Sequence, residues 1–254
     1  MLSNYKIENL EYKYLKKIHS ILNGNIDNMI KNLHSMNKIK LFWYDKNDAG
    51  YDAGAERIIY SILQRASDLG EPNSSPIAAD LFFENLDSFI HIDLKTNNIE
   101  SNAGDHWGIK ISHNQSSYSI KYKVRNKDRE FIAQLPNYYN DKPTLTFFIT
   151  ILYSMNENHI FKIININVSS MPNGQLASHY NDKPIRPGGN ITTKDIRFNM
   201  MECNEFELLT PKKKRILKVY MMPEIEEFLK NVKYHNGDNK NTSLKKFFTK
   251  VGSV

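Results

Sequence analysis

Three ionisable side chains, Asp80, Asp93 and Lys95, sit within the stretch "PIAADLFFENLDSFIHIDLK" at residues 76–95. Two runs rich in β-branched and aromatic residues flank a short polar turn, which is the composition of a β-hairpin. In a strand, residues i and i+2 share a face, so Asp93 and Lys95 project together while Ile92 and Leu94 point the other way. A turn centred on Leu86–Asp87 sets Glu84 opposite Phe89 and, continued along the ladder, Asp80 opposite Asp93. Cross-strand partners have Cβ atoms roughly 4.5–5.5 Å apart. Two carboxylates that close repel each other unless one is protonated or a cation lies between them. A hard divalent cation meets that need, and Mg²⁺ takes one or two carboxylates with waters and phosphate oxygens. A neighbouring lysine orients or deprotonates a water and offsets charge developing on a phosphate. The chemistry this suits is hydrolysis of a phosphodiester.

The competing reading is an edge hairpin with one wet face, and a one-residue slip in register would send Asp80 to the wrong side. The tripeptide acidic–x–Lys decides little alone. It occurs three times, at Glu11–Tyr12–Lys13, Asp93–Leu94–Lys95 and Asp238–Asn239–Lys240. Only the middle copy ends an apolar strand with a second Asp set opposite.

Asp80 in "IAAD", then twelve residues, then Asp93 and Lys95 in "DLK", resembles the motif of the PD-(D/E)xK nucleases. Ala79 stands where that motif usually carries proline. The resemblance covers the hairpin closely and the order of flanking elements loosely. It implies that Asp80 and Asp93 bind Mg²⁺ and that Lys95 assists the attacking water. Members often add a Glu from the helix upstream of the hairpin, and Glu56 in "AGAERIIYSIL" fits that place. An exposed first-turn Glu favoured by the helix dipole is an equally open reading of Glu56. His91 shares the face of Asp93, as a supporting hydrogen-bonding group rather than a ligand. "NQSSY" at 114–118 is similar to a Gln…Tyr element that follows the lysine in some members, one residue short of the usual spacing. Gln115 is then expected beside the acidic pair or on a phosphate, with a plain strand-to-loop turn as the alternative.

The fold implied is α/β, a restriction-endonuclease-like core with a central mixed β-sheet flanked by helices and decorated by loops. The function implied is that of a type II restriction enzyme, a Mg²⁺-dependent, sequence-specific endonuclease of double-stranded DNA. Such an enzyme works as a homodimer, each subunit cutting one strand to leave 5′-phosphate and 3′-hydroxyl ends. A cognate DNA methyltransferase in the host, not in direct contact, goes with it. The absence of a Gly-rich Lys-Ser/Thr phosphate loop agrees with that class. A repair or recombination nuclease of the same superfamily and a non-catalytic DNA-binding protein are the alternatives.

The elements that must position these residues follow from periodicity. Ile7, Leu10, Tyr14, Ile18, Ile21 and Leu22 have helical spacing, with an interruption at Gly24–Asn25 giving two helices. "KLFWYDKNDAG" reads as a short extended piece closing in a loop. A further helix starts at an Asp52 N-cap, carries Ile58, Ile59, Ile62, Ala66 and Leu69 as its apolar stripe, and ends at Gly70 and Pro72. "EPNSSP" is a loop. Beyond the hairpin, "HWGIKISHN" and "SIKYKVR" are strand candidates, and "PTLTFFITILYSM" and "HIFKIININVSSM" are stronger ones. "RILKVYMM" is a strand and "PEIEEFLKNV" a helix, before a basic tail. The repeated "YNDKP" at 139–143 and 180–184 reads as two loops entering strands. The organisation expected over 1–254 is a single nuclease domain. It comprises an N-terminal helical segment at 1–40, a catalytic core at about 50–170, a DNA-recognition loop at about 170–200 and a C-terminal strand and helix at 205–254.

With 254 residues, 40% of them hydrophobic and 24% charged, the chain can bury a sizeable core without staples. One cysteine, Cys203, excludes an intramolecular disulfide framework and fits a reducing compartment. The opening "MLSNYKIENLEYKYLKK" has no apolar core bounded by a cleavage site, and no apolar run reaches ~18 residues. A cytoplasmic prokaryotic protein is the expectation.

A net charge of +6 and a pI near 9.1 suit a polyanionic partner. In "SIKYKVRNKDR", Lys121, Lys123 and Arg125 alternate with Ile120, Tyr122 and Val124, giving a strand one basic face suited to a phosphate backbone. "KKKR" at 212–215 reads as a solvated charge run. The long polar segment at 172–197 offers Asn173, Gln175, His179, Asn181, Lys183, Arg186, Asn190, Lys194 and Arg197. Arg and Lys pair with guanine, and Asn and Gln with adenine, in the major groove, so this segment is the expected reader of sequence.

Overall fold

The computed structural model describes residues 1–43, 51–73, 80–98, 108–124, 126–155, 161–187, 196–199, 205–206 and 210–226. Helix α1 spans Asn4–Gly24, with the Ser3 hydroxyl accepting from the Lys6 N–H at its start. The expected break follows: Asn25 returns its side-chain amide to the Ile21 carbonyl, and α2 runs Ile26–Trp43. Lys40–Trp43 are therefore helical, not extended. Once a helix is nucleated, propagation outweighs the strand propensity of a few residues. Helix α3 spans Tyr51–Gln64, so Asp52 lies inside it rather than before it as a cap. Its buried stripe is Ala55, Ile59 and Leu63, with Ile58 and Ile62 half-buried. Ala66 and Leu69 lie beyond its end, Leu69 buried in a separate 3-10 turn at Ser67–Leu69.

The central sheet gathers β1 (Glu71–Pro72), β2 (Leu81–Glu84), β3 (Phe89–Asn98), β8 (Lys142–Met155), β9 (Phe161–Met171) and β14 (Ile216–Met221), in that spatial order. Strands β3 and β8 are parallel and the other neighbours antiparallel, so the sheet is mixed. Strand β1 uses Glu71 and Pro72, which the sequence reads as loop, and Pro72 is tolerated because this is an edge. Gly70, at φ +100°, makes the turn into β1; a Cβ there would lie 2.2 Å from the Glu84 carbonyl oxygen. The crossover from β3 to β8 carries β4 (Gly108–Ile111), β5 (Ile120–Val124), β6 (Lys127–Phe131) and β7 (Tyr138–Tyr139).

Strands β3 and β8 are buried on both faces, as parallel neighbours in a covered sheet should be. On one face, Ile92, Leu94 and Ile149 line a cleft together with Ile59 and Tyr60 of α3. On the other, Phe148 stacks on Phe198 at 6.0 Å between ring centroids. Phe198 belongs to β11 (Ile196–Asn199), the middle strand of a small antiparallel sheet between β10 (Ile185–Pro187) and β4. Each fully buried Phe, Ile or Leu contributes about 1.5–3 kcal/mol of burial free energy. The faces of β3 and β8 are the element the core defends most strongly.

Both copies of "YNDKP" lead into strands, by different turns. Asn140 and Asp141 both have positive φ, forming the two-residue turn of the β7–β8 hairpin. In the second copy only Asn181 does, closing the short helix α4 (Ala177–Tyr180).

The segment after β9 is not a free loop. It contains a 3-10 turn at Gly174–Leu176, α4 and β10, and it is docked onto the N-terminal helix. Arg215 is the centre of that docking and is fully buried, correcting the solvated reading of "KKKR". Its guanidinium donates to Glu11 Oε2 at 2.8 Å, Glu8 Oε1 at 3.2 Å and the Tyr180 hydroxyl at 3.1 Å. Glu8 and Glu11 are themselves fully buried. The Asn173 N–H donates to Glu11 Oε1 at 2.6 Å, completing the tie between α1, this segment and the start of β14. Among the described residues, no helix is long and apolar enough to cross a membrane.

Candidate active site

The β2–β3 hairpin adopts the register read from the turn: Glu84 pairs with Phe89, Phe82 with His91 and Leu81 with Ile92. The turn itself closes through the Asn85 N–H and the Ser88 carbonyl. Asp87 is a turn residue with its own duty, accepting from the Tyr14 hydroxyl and from Lys13 Nζ at 2.5 Å to pin α1. Asp80 stands one residue before β2, and its Oδ2 accepts the Leu94 N–H at 2.6 Å. That bond fixes an exposed carboxylate beside the backbone of β3, next to Asp93.

Asp93 is 2% exposed and has a partner on each carboxylate oxygen. Lys95 Nζ lies 2.7 Å from Oδ2, and Gln115 Nε2 donates to Oδ1 at 2.6 Å. Burial pushes the Asp93 carboxyl up to about 6 even though Lys95 and Gln115 favour the charged form, and the Asp80 charge adds to the rise. Gln115 is held in a preset orientation. The Ser112 N–H donates to its Oε1 at 2.9 Å in a capping box, which leaves the amide nitrogen to face Asp93. The turn carrying it is braced by Gln134 N–H to the His113 carbonyl and by His113 stacked on Phe131. The Ser-x-x-Gln pattern at 112–115 is a sequence signal for this turn that composition alone does not show.

Glu56 is half-buried on α3 and lines a cleft of about 220 Å³ with Arg57, Tyr60, Asp80, Ile92 and Leu94. This cleft lies on the Ile92/Leu94 side of β3. Glu56 therefore shares a wall with Asp80, while Asp93 and Lys95 leave the opposite face. His91 is fully buried on the Asp93 face. Among the described residues, no group of three or more His, Cys, Asp or Glu side chains is placed to hold a metal ion. The acidic pair Asp80 and Asp93 remains. Two neighbouring carboxylates, the buried one raised in part by the charge of the other, are a donor set that fits a hard divalent ion completing its shell with water and phosphate.

The expected DNA-contacting residues divide. Asn173 is buried, donating its amide to the Asn137 and Thr144 carbonyls and accepting from the Gln175 N–H, so it has no reach toward a base. Gln175 donates to the Leu2 carbonyl and Asn4 Oδ1 and accepts from the Tyr138 hydroxyl, anchoring the N-terminus. His179 is half-buried, edge-on to Tyr180. Arg197 is buried in β11, its backbone paired with Lys110 and Arg186. Asn181 and Lys183 are exposed. Lys121 and Lys123 are exposed on the β5–β6 hairpin, but they share their face with Glu130 and Asp128, at 4.0 Å and 3.8 Å. That face is charge-balanced, not basic, because the alternation in β5 omitted the acids that β6 sets opposite. Arg125, Asn190 and Lys194 lie outside the described residues, as does the side chain of Arg186.

Residues 4–158 match the N-terminal domain of the type II restriction enzyme MwoI, and residues 163–221 match its central domain. The chain belongs to the MwoI family of type II restriction enzymes. Membership makes it a sequence-specific type II restriction endonuclease, a site-specific deoxyribonuclease, and implies dependence on a divalent metal ion. No curated protein matches the sequence. Solved structures with the same fold include the restriction endonuclease BglI bound to its DNA recognition sequence, with a TM-score of 0.65 at 14% identity, covering 84% of this chain and 90% of that one. The tetrameric restriction endonuclease SfiI bound to cognate DNA gives a TM-score of 0.61 at 15% identity, covering 78% and 80%. The mixed central sheet with flanking helices is thus the restriction-endonuclease architecture expected from the hairpin.

Proposed function

We propose that Asp80 and Asp93 hold Mg²⁺ and that Lys95 positions the water that attacks the DNA phosphodiester. The observation that carries this reading is the buried Asp93 carboxylate, set between Lys95 and Gln115 with Asp80 fixed alongside. When bound, the metal ion polarises the scissile phosphate and lowers the proton affinity of water. Asp93 presents a pre-oriented charge, since its rotamer is held by Gln115. Asp80 presents a second, fixed by the β3 backbone. Lys95 keeps a cation within reach of the reacting phosphate and stabilises charge building on it. Glu56, across the strand, supports Asp80 from the α3 side rather than joining Asp93.

The enzyme acts as a homodimer, one subunit per strand, leaving 5′-phosphate ends, in the cytoplasm of a prokaryote that carries a cognate methyltransferase. Asn181 and Lys183, exposed and outside the charge-balanced β5–β6 face, are the candidates that meet the DNA backbone, with Lys121 and Lys123 sharing it only by giving up their acidic partners; Asn173 and Gln175 are occupied in the fold. The test is digestion of plasmid and genomic DNA with Mg²⁺. Discrete fragments are expected from the wild type. Lys95→Ala should still shift DNA on a gel and lose at least 100-fold in cutting rate, on the order of an oxyanion-type contact. Cutting by Lys95→Ala at the wild-type rate removes Lys95 from the site.

A further inference from the structure

We infer that Thr150 is a positioning residue for Lys95, its hydroxyl receiving the lysine amine when a divalent cation takes over Asp93. The inference rests on the reading of Asp80, Asp93 and Lys95 as the metal site and adds a residue from a different strand. Both oxygens of Asp93 are engaged, Oδ1 by Gln115 and Oδ2 by Lys95 at 2.7 Å. Gln115 is locked by the Ser112 N–H and cannot turn away. A cation at the acidic pair, bound through the remaining lone pairs of Asp93, sits beside Lys95, and the two positive charges in that space repel, which drives the amine away from Oδ2. The lysine needs another acceptor.

The β3–β8 register supplies one. Lys95 pairs with Thr150 on the adjacent parallel strand, so the two side chains stand on the same face about 4.8 Å apart along the ladder. Thr150 is 4% exposed, and its hydroxyl has no hydrogen-bond partner among the described residues. A buried hydroxyl left unpaired is costly, and a threonine oxygen has lone pairs that accept from an ammonium. A lysine caught on a hydroxyl fixed by a buried strand stays near the reacting phosphate. One released to solvent samples its many rotamers and loses that proximity. Phe148 and Leu152, the register partners of Asp93 and Asn97, offer no acceptor on the neighbouring levels. Thr146, four residues earlier on the same face, pairs instead with His91 and serves as an internal control.

The test uses the full chain and follows its melting temperature as Mg²⁺ is titrated, alongside the Mg²⁺ dependence of DNA cutting. Wild type is expected to melt higher with Mg²⁺, since a ligand of the folded state raises stability by mass action. Thr150→Val should need roughly tenfold more Mg²⁺ for the same rise and for half-maximal cutting, the low end of what supporting partners of metal ligands contribute. Thr150→Ser should lie within about twofold of wild type, because it keeps the hydroxyl. In a Lys95→Met background, Thr150→Val should add nothing, since the lysine it serves is gone. Equal Mg²⁺ response of wild type and Thr150→Val overturns the inference alone. So does a Thr150→Ser variant as weak as the valine, an effect that persists without Lys95, or an equal effect of Thr146→Val. A wild-type chain whose melting ignores Mg²⁺ overturns the metal reading and this inference together.

Discussion

Replacing Arg215 by Met tests whether the buried ion network holds the N-terminal helix to the sheet. All three charged members, Arg215, Glu8 and Glu11, are fully buried. The guanidinium donates to both carboxylates and to the Tyr180 hydroxyl, and it lies over the Tyr180 ring at 4.7 Å. Methionine fills much of the volume but leaves two carboxylates without their cation. Removing one partner of a buried pair costs about 3–5 kcal/mol, because the remaining charge stays desolvated. For a chain of this size that lowers the melting temperature by roughly 6–20 °C, at about 2–4 °C per kcal/mol.

The pH dependence of that loss has a definite sign. Burial already raises Glu11 above its usual value, with Arg215 as the largest opposing influence. Without Arg215 the rise grows, so the folded variant binds more protons than the unfolded chain, and stability falls as pH rises. The deficit of Arg215→Met should be smallest below pH 4.5, the ordinary glutamate value, and should grow as pH rises above it. The assay is urea unfolding of wild type and variant from below pH 4.5 to pH 8, with Glu8→Leu and Glu11→Leu added to the Met variant as a compensated control. The control should recover most of the loss, since apolar replacement of a whole buried ion network is often neutral or better. A loss under about 1 kcal/mol at pH 8, or one that does not change with pH, would refute the idea that these carboxylates depend on Arg215.

The site offers two further predictions. Gln115→Leu removes the donor to Asp93 Oδ1 and should lower cutting by about 10–100-fold with DNA binding retained, as measured by initial rates and gel shift; unchanged rates would show that Lys95 alone orients Asp93. Asp93→Asn should stabilise the metal-free protein. The wild-type carboxyl rises from 3.8 to about 6 through burial, so its favourable contribution is complete below pH 3.8 and lost as pH climbs through 6. That gap is worth roughly 3 kcal/mol at most, so in EDTA at pH 7.5 the Asn variant should gain about 1–3 kcal/mol, an advantage that closes by pH 4. An Asn variant that melts below wild type at pH 7.5 would mean that the Lys95 ion pair outweighs the burial of Asp93.

What the sequence disclosed follows from what kind of contact each residue makes. The hairpin carrying Asp80, Asp93 and Lys95 was legible because its register is set by a short local turn, which fixes the faces of Asp93 and Lys95; Asp80 stands just before the paired ladder and lines the cleft on the Ile92/Leu94 side, so its expected place opposite Asp93 did not follow from the pairing. The long strands β8 and β9 were legible because long runs rich in β-branched and aromatic residues have few alternatives. Strand alternation in β5 placed Lys121 and Lys123 on one face correctly, but the charge of that face depends on β6, a strand away. Asn173 and Gln175, in the polar segment after β9, were misread for a stronger reason. They have the composition of a DNA-reading surface, and nothing local distinguishes a side chain that bonds to a base from one that bonds to a distant carbonyl. A hint did exist in α1. Glu8 and Glu11 fall on the same helical stripe as Ile7, Tyr14, Leu15 and Ile18, and a carboxylate on a buried stripe demands a buried cation from elsewhere in the chain. Among 34 Lys and Arg residues, sequence spacing cannot say which one answers. That answer requires the sheet to be assembled first, with β14 laid against β9 so that the residue just before it meets α1. The hairpin that carries the proposed acids thus follows from local pairing, whereas the network that holds its scaffold follows only from the completed topology.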